Sequence, residues 1–198
     1  MMSRQLPGAL VEIFKRGVVL DASGVEQPLD SNISESEAGE LFATVLRLAP
    51  RNSLEVGLAH GISALAIVGA IKQNGFGHHQ IIDPFQRNYG YIGKLNIERN
   101  GYSAISSFYE RFPEEIIPQL PNIQFAFVDA SHLFDFTLME FVLIDKKLDV
   151  GGIIGLTIYG CRQFRRLSGM SWRIVHTRLF PNSCRAPALY PLRKNLSG

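Results

Sequence analysis

Apolar residues in this chain fall into two kinds of pattern. Short, largely apolar runs occur at Leu54–Val56, Gln80-Ile81-Ile82, Phe125-Ala126-Phe127-Val128 and Ile153-Ile154. Between them lie longer stretches with apolar positions every three or four residues: Leu41, Phe42, Val45, Leu46 and Leu48, then Ile62, Leu65, Ala66, Ile67, Val68 and Ile71. Tyr89–Asn100, Pro113–Leu120 and Phe134–Leu148 also suit helices. A strand wetted on one face alternates apolar and polar residues, whereas a run apolar throughout suits a strand covered on both faces. Strand and helix alternate, which predicts an α/β fold: an open, mostly parallel sheet with helices on both faces.

Local signals set the boundaries. Leu6 to Leu20 reads as a short helix and an extended segment, and Asp21–Asn32, rich in Gly, Pro, Asp and Ser, as a loop. Ser34 followed by Glu37 forms a capping box at a helix start, so the acids from Glu35 to Glu40 read as a solvated first turn. Pro50 closes that helix, Asn74-Gly75 the next, Gly101 a third and Gly151-Gly152 the last. Ser103–Ser107 is expected to be the third strand. His78-His79 are expected at the surface before the second strand, and Phe125, Phe127, Phe134, Phe136 and Phe141 in the core.

A length of 198 residues suits one domain with a sizeable core. No apolar run reaches the roughly 18 residues of a membrane span, and no secretory signal is visible at the N-terminus, so a soluble cytoplasmic protein is expected. The net charge of +2 hides an asymmetry. Residues 1–155 hold twelve basic residues and all 18 acids, whereas residues 156–198 hold eight basic residues, both cysteines, the single Trp and no acid.

The candidate chemistry lies where runs end. Glu55, Asp83 and Asp129 each stand at the C-terminal end of an expected strand, the edge at which open α/β sheets bind ligands. One acid after a strand is as often a cap or turn residue; three at one edge point to a site. Asn52–Gly61 is organised as strand, Glu55-x-Gly57-x-x-x-Gly61 turn, then helix, an arrangement that binds a nucleotide at the helix N-terminus. Gly57 would let the backbone approach a ligand, and Asp83 would accept ribose hydroxyls. The spacing is not the G-x-G-x-x-G of dinucleotide enzymes.

Three segments, Leu54–Ser63, Ile82–Gln86 and Phe127–His132, followed by Asp149-Val150-Gly151-Gly152, together resemble small class I S-adenosylmethionine-dependent methyltransferases over residues from about 28 to 155. The resemblance implies a Rossmann-like fold, with residues 1–155 as the domain, preceded by an N-terminal helical segment. It implies that Glu55, Gly57, Leu58, Ala59, His60, Gly61 and Ser63 hold the methionine part of S-adenosylmethionine. Asp83 and Pro84 would meet the ribose, and Ser107 and Phe108 would flank the adenine. Asp129 would lie beside the sulfonium. In metal-dependent O-methyltransferases of this type the corresponding acid ligates a divalent metal such as Mg²⁺, and His132 would be the base that deprotonates a small-molecule acceptor. An unperturbed His pKa of about 6.5 suits that task near neutral pH.

The likeness fails after Gly155. Metal-dependent relatives end their fifth strand in paired acids, where this chain has Leu156-Thr157-Ile158-Tyr159-Gly160-Cys161-Arg162-Gln163-Phe164. Encoded as TTG ACG ATA TAT GGA TGC CGT CAA TTC and read one base earlier after a T, that segment becomes FDDIWMPSI, which restores the acid pair. Residues 156–198 are therefore expected to be a frameshifted basic tail, with the C-terminal strands missing or disordered, the second metal ligand lost and the fifth strand an exposed edge open to homo-oligomer formation. The competing readings are another nucleotide-binding Rossmann protein, such as an NAD enzyme, and a non-catalytic binding protein whose basic tail contacts nucleic acid.

Overall fold

The computed structural model describes residues 5–30, 32–130, 133–157 and 172–177, with the backbone alone for 134 and 172–177. Its centre is a six-stranded sheet of β3 (Asn52–Val56), β4 (His78–Ile82), β5 (Ser106–Tyr109), β6 (Ile123–Val128), β7 (Leu148–Thr157) and β8 (Trp172–Thr177) in the order β5-β4-β3-β6-β7-β8. The first five run parallel, and β8 is antiparallel to β7. From β3 the chain builds outward through β4 to β5, then returns to lay β6 on the other side of β3. The order reverses between β3 and β6, so the crevice above their C-terminal ends is the ligand-binding position of such a sheet.

Alternate residues along each strand face opposite layers. Phe125 and Phe127 enter the core under α1 (Gly8–Arg16), α2 (Glu35–Leu48) and α3 (Ile62–Asn74), with Ile97 of α4 (Ile92–Arg99) in the same cluster. Leu54, Val56, Ala126 and Val128 face the other layer with Ile116 of α5 (Pro113–Ile116) and Ile144 of α6 (Phe134–Lys147). Helix α3 packs against α2 and the sheet, and every residue from Ile62 to Ile71 is buried. The capping box starts α2: Ser34 Oγ accepts the Glu37 amide, and Glu37 accepts the Ser34 amide at 2.8 Å.

Several expectations change. Val18–Leu20 (β1) pairs antiparallel with Glu26–Pro28 (β2), so the expected loop is a hairpin, tied by Asp21 Oδ1 accepting the Ser23 and Val25 amides. His78 and His79 open β4; His79 is fully buried because β4 is an interior strand. Ser103–Ile105 is a turn of 3₁₀-helix, with the strand following it. The helix expected from Tyr89 starts at Ile92 as α4, after a 3₁₀ turn over Gln86–Tyr89, while Gly101 follows its end in the left-handed conformation of the expected cap. Gly151 and Gly152 lie within β7. Phe136 is half exposed rather than core, because α6 presents it to a cleft. Finally, the edge of the fifth parallel strand is not bare: β8 pairs with β7 from Ile153 to Thr157.

Candidate functional site

The loop leaving β3 is wedged between two neighbours. Gly57 has φ +93°, and a Cβ there would stand 2.2 Å from the Asp129 carbonyl oxygen, so no side chain fits between the ends of β3 and β6. Gly93 of α4 closes the other side, where a Cβ would stand 2.4 Å from the Ala59 carbonyl oxygen. Gly57 N–H donates to the Ile82 carbonyl and Asp129 N–H to the Val56 carbonyl, extending the ladder past the strand ends.

Asp83 fastens this loop. Its Oδ2 accepts the amides of Leu58 (3.0 Å) and Ala59 (3.2 Å) and the Gln86 side-chain amide (3.0 Å), and its Oδ1 accepts the Phe85 amide (2.8 Å). Oδ1 keeps a lone pair for one further donor. The chain reading missed Gln86, which is fully buried and also donates to the Ala59 carbonyl. Asn96 donates to the His60 carbonyl at 2.9 Å. Ala59 itself is left-handed at φ 45°, a conformation this hydrogen-bonded setting maintains.

Glu55 takes another direction. It lies on the strand face toward α2 and α3, fully buried, with Oε2 3.4 Å from His79 Nε2. His79 Nδ1 lies 2.9 Å from Ser53 Oγ, and Glu55 Oε1 has no partner among the described residues. His60 is buried, edge-on to Tyr89 at 5.6 Å, with Nδ1 3.6 Å from Asp30. Burial lowers its pKa below the usual histidine value, and Asp30 pulls weakly the other way.

Two chambers open either side of the Gly57–Ala59 ledge. The first, about 520 Å³, lies against the start of α3 and is lined by Asn32, Ile33, Ser63, Tyr89 and Asp129 among others. Its wall is a helix N-terminus, where free amides favour an anionic group. The second, about 440 Å³, is lined by Asp83, Pro84, Phe85, Phe112, Pro113, Glu114, Phe136 and Glu140 among others. Asp129 and Ala130 line both. Thus Gly57, Leu58, Ala59, Ser63, Asp83, Pro84 and Asp129 converge on one cleft, while Glu55, His60 and Gly61 line neither chamber.

Ser107 and Phe108 are also elsewhere. Ser107 Oγ is 2.8 Å from His78 Nε2, and Phe108 packs against the first core under Lys94. The aromatic side chains that reach the cleft from this direction are Phe85 and Phe112, edge to face at 6.0 Å. Glu140 was missed as well. Burial, and then the nearby charge of Glu114, push its pKa up to about 7. His132 lies outside the described residues. Among the described residues no three His, Cys, Asp or Glu side chains converge as a metal-binding set.

Comparison with known proteins agrees with this architecture. A family model described as a methyltransferase domain matches residues 54–156. No curated protein matches the chain in sequence. In fold the chain is similar to an O-methyltransferase from Bacillus cereus in complex with SAH (17% identity, TM-score 0.58, covering 75% of this chain and 64% of that one). It is also similar to the SAH-bound Podospora anserina methyltransferase PaMTH1 (20%, 0.60, 76% and 62%). A precorrin 8w decarboxylase of Methanobacterium thermoautotrophicum shares the fold too (21%, 0.52, 73% and 72%). The chain spans less than two thirds of the length of the first two. The likeness to these structures is one of fold, whereas the family match runs from Leu54 in β3 to Leu156 in β7 and so takes in the strands whose ends form the cleft: the chain belongs to the methyltransferase domain family.

Proposed function

We propose that this protein binds S-adenosylmethionine across the two chambers and transfers its methyl group to the hydroxyl of a small molecule. The observation that carries the reading is the ledge itself. A glycine-bearing loop, clipped by the Asp83 carboxylate at the topological switch point, separates a chamber at a helix N-terminus from a chamber walled by Phe85 and Phe112. A cofactor with a charged amino-acid end and a flat base at its other end matches those two chambers.

When bound, the cofactor supplies an electrophilic methyl group on a sulfonium. The amides at the start of α3 and the Ser63 hydroxyl face the chamber that would take the carboxylate end. Asp83 Oδ1 has room for one ribose hydroxyl, and Pro84 shapes that wall. Asp129, on the rim common to both chambers, is the acid nearest the junction where the methyl would emerge. Displacement at a sulfonium is in line, so catalysis is chiefly positioning of donor and acceptor. His132, three residues beyond Asp129, is proposed as the base that takes the hydroxyl proton. No step is routed through a metal.

The chain is further proposed to be cytoplasmic and impaired in turnover through the tail from residue 156. The Thr157 hydroxyl, buried and without a partner among the described residues at the end of β7, occupies a position where the family resemblance calls for an acid. Sequencing the gene around codon 155 tests the frameshift: a confirmed reading frame, with relatives that share the tail, removes it. Calorimetric titration with S-adenosylhomocysteine, with and without Mg²⁺ and with NAD as comparison, tests the cofactor. Binding of S-adenosylhomocysteine alone is expected; its failure to bind in either condition defeats the proposal.

A further inference from the structure

Glu140 is hard to explain as a structural residue. It sits on α6, 4% exposed, with Oε2 lacking a partner among the described residues. Among the described residues its surroundings supply no counter-charge. The charge of Glu114 on α5 acts on it, Asp83 and Asp129 line the same chamber from the strand ends, and no Lys or Arg is among the described lining residues. On its own helix the residues one turn away, Phe136 and Ile144, are apolar. An unpaired buried carboxyl costs free energy unless a ligand completes it.

The chamber it faces has the form of a site for a flat heterocycle. Phe85, Phe112, Pro113, Leu133, Phe136 and Met139 supply its apolar surface. Phe85 and Phe112 are 55% and 45% exposed, so both offer free ring area to a ligand. Within that apolar surround, Glu140 is the buried polar group whose hydrogen-bonding capacity is unused.

We infer that Glu140 recognises the adenine base of the cofactor, its carboxyl donating O–H to N1 and accepting N–H from the 6-amino group. This rests on the cofactor reading above and assigns a specificity-determining residue within it. A neutral carboxyl carries a donor and an acceptor side by side, which matches the acceptor and donor on that edge of adenine. An ionised carboxylate has acceptors only and turns one of them against the N1 lone pair. Burial and Glu114 keep the neutral form populated up to about pH 7. Ligand binding therefore takes up a proton above that pH, and affinity falls as pH rises.

The test is calorimetric titration of the full chain with S-adenosylhomocysteine at pH 6, 7 and 8. The ligands are S-adenosylhomocysteine and its analogue lacking the 6-amino group. The wild-type Kd is expected to rise about fivefold to tenfold from pH 6 to pH 8. Glu140→Gln, whose amide also pairs a donor and an acceptor, is expected to bind within about threefold of the wild type at pH 6 and to lose the pH dependence. Glu140→Leu is expected to bind more than tenfold more weakly, with the penalty for the missing amino group vanishing in that variant. Circular dichroism checks that Glu140→Leu is folded; if it is not, the Glu140→Gln pH profile decides. S-adenosylhomocysteine binding with no pH dependence and no difference between wild type and variants overturns the inference and leaves the cofactor reading standing. Failure of the wild type to bind overturns both.

Discussion

The two chambers of the cleft are built differently. The ledge that the one beside α3 shares with its neighbour is made of backbone: a left-handed Ala59, a glycine too close to Asp129 for a side chain, and amides fixed by Asp83. The one beside α6 is made of side chains: two partly exposed rings and an acid with an unpaired oxygen. A wall of backbone holds its shape through close approaches that leave no room for a side chain and through the hydrogen bonds that fix its amides. A wall of side chains is set by residue identity and is tuned by single substitutions. The first should therefore respond to mutation through folding, and the second through affinity and pH.

The largest effect expected is at the ledge. Gly57→Ala puts a methyl into the Asp129 carbonyl and a side chain at a left-handed φ, so a loss of at least about 3 kcal/mol of stability is expected by chemical denaturation. An unfolding midpoint unchanged from wild type would show that the ledge yields. Next is Glu140→Gln, read as stability against pH. The folded pKa of Glu140 lies above its unfolded value. The unfolded state therefore gives up its proton first as pH climbs from about 4.5, and the penalty on the folded state is complete above about 7. Glu140→Gln lacks that penalty, so it should gain about 2–3 kcal/mol over wild type at pH 8 and almost nothing at pH 4. A gain independent of pH would mean that ionisation is not its source.

Asp83→Asn follows. It replaces an anion that accepts four N–H groups with a neutral amide that can accept on one oxygen only. A loss of about 2 kcal/mol is expected, with weakened ligand binding, measured by thermal melts with and without S-adenosylhomocysteine. The smallest is Phe112→Ala. The ring is half exposed, so folding should be almost unaffected while the Kd for S-adenosylhomocysteine rises about tenfold. A large stability loss there, without an affinity change, would erase the contrast between the chambers.

The same contrast decides what could be read from the chain. Parallel strands, their order of appearance and the Ser34–Glu37 cap follow from local pattern, because each depends on residues near one another in sequence. Gly57, Asp83 and Asp129 were legible because strand ends meet at one edge whatever the loops do. His79 was misplaced because a polar residue looks like surface until the partner strands are known; β4 lies between β3 and β5, and Ser53 and Glu55 reach it across 24 or more residues of sequence. Gln86 is the same case, its partner the backbone of a loop 27 residues away. Ser107 and Phe108 were expected too early on their strand: the cleft receives its ring from Phe112, beyond the strand end. Glu140 looked like any charged residue on an amphipathic helix. Only the packing of α6 against α5 shows that it faces inward.

The burial of α3 has one more consequence. From Leu65 to Ile71 its residues can give up their hydrogen bonds only when the layer around them comes apart. Amide exchange there should thus proceed only through global unfolding. A ligand seated on its first turn would slow exchange along the whole stretch to the same extent, by the factor through which it shifts the folding equilibrium. The helix at the mouth of the cleft would then report occupancy from the centre of the protein.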